Sequence, residues 1–132
     1  MTFAGINYLA IVIAAVLAWF ASAVWYMSLG KHYAAALGEP PERAVAPYLY
    51  AFVVDIIIAW MLGGVLGHLG AGQVTLRNGV ISGAFLWFGF VLTTMTVNYA
   101  FSGRDRRLLL IDAGNWLIVL LVMGAVIGFF GV

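Results

Sequence analysis

Apolar residues fall in four long runs separated by short polar breaks, without the alternation a barrel strand needs. Tyr8 to Gly30 holds no charged residue, Pro47 to Gly67 holds only Asp55, Gly79 to Phe101 holds none, and Leu108 to Val132 holds only Asp112. About 20 apolar residues in a helix cross roughly 30 Å of hydrocarbon, where the backbone must satisfy its own hydrogen bonds. The pattern predicts an all-α integral membrane protein, a four-transmembrane-helix antiparallel bundle. It forms a single domain over residues 1–132, with helices near 5–31, 47–69, 74–102 and 105–131. Composition agrees: of 132 residues 65% are hydrophobic and 8% charged, with mean hydropathy +1.09. Soluble domains are about half apolar and a quarter charged.

The breaks set topology. Lys31 to Ala46 holds Gly38, Pro40, Pro41 and four charged residues, and Pro47 suits a first helical turn. Gly67 to Asn78 is too short to span, and Ser102 to Arg107 is a tight charged turn. Loops this short predict consecutive helices as antiparallel neighbours. Lys31, Arg43, Arg104, Arg106 and Arg107 fall on one side, against Arg77 and the amino terminus on the other. Positive residues favour the cytoplasm, so loops 31–46 and 102–107 are expected there and both termini outside, in a bacterial plasma (inner) membrane. Ala21-Ser22-Ala23 resembles a signal-peptide cleavage site. No basic residue precedes it and Trp25-Tyr26 continue the apolar run, so the first span is expected to stay uncleaved.

A weak internal repeat pairs Gly63 to Gly70 with Gly124 to Gly131, and Trp19-Phe20 with Trp87-Phe88. It reads either as two duplicated helical hairpins about an axis along the membrane normal or as chance similarity between glycine-rich apolar segments. Small residues recur every fourth position at Ala10, Ala14, Ala18 and Ser22; Ala59, Gly63 and Gly67; Gly79 and Gly83; Gly124 and Gly128. Such stripes allow close helix approach, within the bundle by preference or at a homodimer seam. Trp25, Tyr26, Tyr33, Tyr48 and Tyr99 read as an interfacial aromatic belt. Trp19, Trp60, Trp87 and Trp116 lie deeper and are expected to face the bundle.

Asp55 carries the strongest chemical signal. It stands eight residues past Pro47, about 12 Å along a helix and close to the midplane. A carboxylate there costs about 2.5–3.5 kcal/mol on insertion scales, so it should face protein or water and have a partner. The same counting places Ser22, Thr94 and Asn115 at about the same depth. Asp112 and Asn98, with Thr93 and Thr96, fall nearer the basic loops. Together they predict a polar cavity opening towards the cytoplasm with Asp55 at its floor; the alternative is that Asp55 only fixes helix register. Asp112 is expected to pair with Arg106 or Arg107.

Other chemistries find little support. No cysteine is present, which removes thiolate catalysis, disulfides and cysteine-ligated metals. His32 and His68 fall at opposite faces and cannot share a metal, and no nucleophile–base or phosphate-loop spacing occurs. No catalytic residue, metal, cofactor or nucleic-acid partner is expected.

Asn7, Trp25-Tyr26, Gly30-Lys31, Gly89-Phe90, Asn98, Arg106-Arg107, Ile111-Asp112-Ala113-Gly114 and Leu120 to Ala125 form a pattern over nearly the whole chain. It resembles the bacterial family of small membrane proteins catalogued as domain of unknown function seventeen sixty-one. Asp112 stands where that pattern has asparagine. The resemblance implies a four-helix membrane protein and no assigned activity. Two functional readings follow. The leading one is a transporter or channel-like protein, as a homodimer, for a proton, cation or small polar solute. The other is a non-catalytic accessory protein binding membrane lipid, through Arg104, Arg106 and Arg107, or a partner membrane protein.

Overall fold

A computed structural model describes residues 5–41, 43–70 and 72–131 of the chain. The amino-terminal residues 1–4, whose side belongs to the expected topology, and Glu42, one of the first-loop charges, lie outside the described residues. The architecture is all-helical: α1 (Tyr8–Ser28), α2 (Gly30–Leu37), α3 (Ala46–Gly67), α4 (Leu76–Ser102) and α5 (Arg106–Phe130). Four of these, α1, α3, α4 and α5, are long and apolar enough to cross a membrane. The chain is a multi-pass membrane protein of four spans.

Local chemistry explains the ends. Asn7 caps α1 by accepting the Ala10 N–H at 3.1 Å, and Thr75 caps α4 by accepting the Asn78 N–H at 3.2 Å. Asp105 caps α5 by accepting the Arg107 N–H at 2.8 Å. The first basic loop is more ordered than its composition suggests, because Gly30–Leu37 forms the extra helix α2. Tyr33-Ala34-Ala35-Ala36 favours helix, and Gly38, left-handed at φ 76°, ends it before Pro40-Pro41.

The order across the bundle is α3, α1, α5, α4, so α5 rather than α3 is the main partner of α4. The expectation that all consecutive spans are neighbours fails at this one place: α3 and α4 barely touch. The reason is the glycine faces. A Cβ on Gly79 would collide with the Gly124 carbonyl, one on Gly83 with Leu120 O, and one on Gly128 with Thr75 O, so α4 and α5 meet backbone to backbone. The Gly79/Gly83 and Gly124/Gly128 stripes therefore hold the bundle together. Ala10, Ala14 and Ala18 are buried, and Gly63 lies against Ile11 of α1. Gly67 has open space around it. The core cluster runs through Ile11, Ala59, Leu62, Val119, Met123 and Ile127.

The hairpin repeat is only partly expressed. Aligned Trp19 and Trp87 each donate across their hairpin to a carbonyl of the following span, Tyr48 O at 3.2 Å and Ala113 O at 2.7 Å. Two-fold symmetry would make the close α1–α5 contact equivalent to α4–α3, which is sparse. The spans are not arranged about such an axis.

Halfway along α4, Trp87–Leu92 is wound as π-helix. Wider turns displace N–H groups from their usual acceptors. The Thr93 hydroxyl donates to Gly89 O at 2.8 Å, Thr94 to Phe90 O at 2.6 Å and Thr96 to Leu92 O at 2.7 Å.

Candidate functional site

The expected polar level divides into two separate places. Asp55 lies in the middle of the 22-residue α3 and is 2% exposed. No hydrogen bond or ion pair from another described residue reaches its carboxylate. Asn115 on α5 is 6% exposed, and its Oδ1 is buried without a hydrogen-bond partner among the described residues. Both side chains prolong one core. Asp55 stands one turn before Ala59, Asn115 one turn before Val119, and both of those are buried in the same cluster. Because α3 and α5 run in the same direction and touch, the two residues extend that cluster towards the basic loops.

Ser22 and Thr94 do not complete a ring around them. Ser22 is only half-buried, and Thr94 is exposed with its hydroxyl spent on the Phe90 and Val91 carbonyls of its own helix. Such back-bonding to the carbonyl four residues earlier is general for hydroxyls on helices, and Ser28 and Ser102 show it too. Residue counting could place Thr94 at the right depth but could not tell which face it occupied.

The second place lies at the basic-loop end, around Asp112. Its partner is not Arg106 or Arg107. The Tyr26 hydroxyl donates to Oδ1 and the Tyr99 hydroxyl to Oδ2, each at 2.5 Å, so α1 and α4 clamp α5 through one carboxylate. Arg107 instead holds Asp105 at 2.8 Å, two residues away and across no helix interface. That pair and the Arg107 N–H keep the Asp105 carboxyl below the usual carboxylate value.

Two indoles reinforce the clamp on either side. Trp25 Nε1–H donates to Ile111 O at 2.9 Å, and Trp87 Nε1–H donates to Ala113 O. A Cβ on Gly114 would meet Trp25 Cζ2 at 2.7 Å, so the glycine gives the ring its seat. Trp25, Tyr26 and Tyr99 are thus packing and hydrogen-bonding residues rather than members of a lipid-facing belt. Their sequence positions fit a belt equally well, because interfacial aromatics and inward-facing ones share the same depth.

Beside the clamp is a cleft of about 430 Å³ with Tyr33, Asn98, Tyr99, Ser102, Arg104 and Asp112 in its lining. It reaches Asp112 and Asn98 but not Asp55, so this cleft is not the expected cavity with Asp55 at its floor. Tyr33 brings α2 to the cleft, its ring edge-on to Tyr26 at 5.3 Å. Burial and then the Asp112 charge raise the Tyr33 phenol, while Arg104 acts the other way. Arg104 itself enters no ion pair among the described residues. Arg106 and Arg107 start α5 and are exposed, and His32 and His68 lie at opposite ends of the bundle.

No curated protein and no solved structure matches this chain. The residues that carried the sequence resemblance now have places. Asn7 caps a span, Gly89-Phe90 lies in the π-helical turn, Asn98 lines the cleft, and Trp25-Tyr26 lock onto Ile111 to Gly114. The family described as a protein of unknown function, DUF1761, matches residues 9–128, and the chain belongs to that family.

Proposed function

We propose that this is a small transporter or channel-like protein of the bacterial plasma membrane, passing a proton or cation, or a small polar solute, by way of Asp55. The observation that carries the reading is a carboxylate 2% exposed in the middle of a membrane span, with no hydrogen bond or ion pair from a described residue. A carboxylate in hydrocarbon is costly and is retained where it binds something. The buried Asn115 Oδ1 is a second acceptor without a donor among the described residues. Oxygen acceptors without a basic neighbour suit a proton or a hard cation better than an anion.

The glycine contacts of α4 with α5, and of Gly63 with Ile11, pack those helices closely in the half of the bundle beyond Asp55. Exchange with Asp55 then proceeds from the basic-loop side. On the positive-inside rule that side is cytoplasmic, and both termini are outside. The chain has no cysteine, so single cysteines at Ser102 and Gln73, labelled from one side of sealed vesicles, test the orientation directly. Labelling of Ser102→Cys from the outside reverses it.

Proteoliposome flux compares wild type with Asp55→Asn. Proton or cation flux in the first and none in the second supports the reading. Equal flux in both, or none in either across protons, Na⁺, K⁺ and a panel of small polar solutes, ends it.

A second reading is an accessory protein whose partner is lipid, another membrane protein or a second copy. The third span favours it, because only 6% of its most apolar window is buried within the chain. A stable partner that co-purifies with wild type and is lost on charge reversal at Arg104, Arg106 and Arg107 selects this reading.

A further inference from the structure

The cleft at the basic-loop end holds one charge of each sign, and neither neutralises the other through an ion pair among the described residues. Asp112 is fixed by Tyr26 and Tyr99, one hydroxyl on each oxygen. Each carboxylate oxygen can accept more than one hydrogen bond, so both keep capacity towards the cleft. Arg104 follows Gly103, whose left-handed φ of 64° ends α4 and turns the chain at the cleft's edge. Its guanidinium has five donors in a planar fork suited to phosphate. Tyr33 and Tyr99 also line the cleft, and their ring faces attract an ammonium group.

This arrangement selects by charge. An anion attracted to Arg104 meets the Asp112 carboxylate, and a cation attracted to Asp112 meets Arg104. A molecule carrying both charges satisfies both. The cleft lies about 9 Å along α5 from Arg106, counting six residues to Asp112, which is headgroup depth for a span that starts there. Its volume of about 430 Å³ is within the range of small-molecule sites, about 300–1,000 Å³.

We propose that this cleft binds a zwitterion bearing an ammonium and a phosphate, with the phosphate on Arg104 and the ammonium on Asp112 between Tyr33 and Tyr99. The same chemistry is presented by a phosphatidylethanolamine headgroup and by free phosphoethanolamine. The site is independent of Asp55, and its failure leaves the transport reading untouched.

The full chain in lipid-free detergent is titrated calorimetrically with phosphoethanolamine, glycerol phosphate and ethanolamine. In parallel, native mass spectrometry follows an equimolar mixture of phosphatidylethanolamine and phosphatidylglycerol. Expected is binding of the zwitterion at least tenfold tighter than either single-charge probe, or the matching lipid preference, with a tenfold or greater loss in Arg104→Gln and in Asp112→Asn. Arg104 is exposed, and an amide at 112 can accept from one tyrosine and donate to the other, so both variants keep the fold. Binding of free phosphoethanolamine identifies a soluble ligand, and retention of the lipid alone identifies a headgroup. Equal affinity for glycerol phosphate, no binding from either source, or full affinity in Arg104→Gln overturns the proposal.

Discussion

The Trp25 indole occupies the space a side chain on Gly114 would need, and its Nε1–H donates to Ile111 O one turn earlier in α5. One residue of α1 thereby sets both the distance and the axial position of α5. Gly114→Ala should force the ring off its seat and destabilise by about 1–3 kcal/mol, the usual range for overpacking. Thermal unfolding in detergent measures it. In a Trp25→Phe background the same change should cost clearly less, since contacting residues couple. Additive costs would show that the two do not share one space.

The glycines should separate into two groups. A methyl at Gly79 or Gly124 meets backbone that cannot move aside, so alanine there should cost about 3 kcal/mol or more and loosen α4 from α5. Gly67 is helical with open space, and alanine there should be neutral or stabilising by up to about 1 kcal/mol. Unfolding midpoints for the three variants decide it, and similar losses at all three positions would contradict the backbone contact.

Removing either hydroxyl from the clamp leaves one Asp112 oxygen short of a donor. Tyr26→Phe and Tyr99→Phe should each destabilise by about 1–3 kcal/mol, as hydrogen bonds to charged groups do. Tyr26→Phe should act between α1 and α5, and Tyr99→Phe between α4 and α5. Cysteine cross-linking rates across those two pairs of helices distinguish the effects. A loss confined to neither pair argues against the clamp.

Asp55→Asn should raise the unfolding midpoint while removing function. An amide costs less than a carboxylate in a span, by on the order of 1 kcal/mol, and Asp55 has no described partner to lose. A destabilised Asp55→Asn would reveal a bond that holds the bundle together.

Asp105 gives a pH dependence with a definite sign. Its carboxyl is held below its ordinary value by the Arg107 side chain and N–H, so its contribution to stability is present above the unfolded value, about 3.9. It is lost as pH falls through the folded value. Wild type should exceed Asp105→Asn in stability near pH 6, and the gap should close below pH 4. The gap is small because the pair is solvent-exposed. A gap that widens in acid contradicts the assignment.

Hydrophobic runs of span length and the proline, glycine and charged breaks between them were enough to establish four membrane helices and most of their ends. Those features are local: each depends on the solvent a segment must meet and on hydrogen bonds within one turn. Asp55 could likewise be placed at mid-span by counting residues along one helix. Partners could not be read in this way. Depth along a helix says nothing about the direction of a side chain, and the π-helical turn at Trp87–Leu92 changes that direction for Thr94 while leaving its depth nearly unchanged. Neighbour order also escaped local reasoning, because it rests on backbone contacts of Gly79 with Gly124, Gly83 with Leu120 and Gly128 with Thr75, residues far apart in chain order. Only tertiary packing moved Asp112 from an arginine on its own helix to two tyrosines on others, and so separated the clamp and its cleft from Asp55.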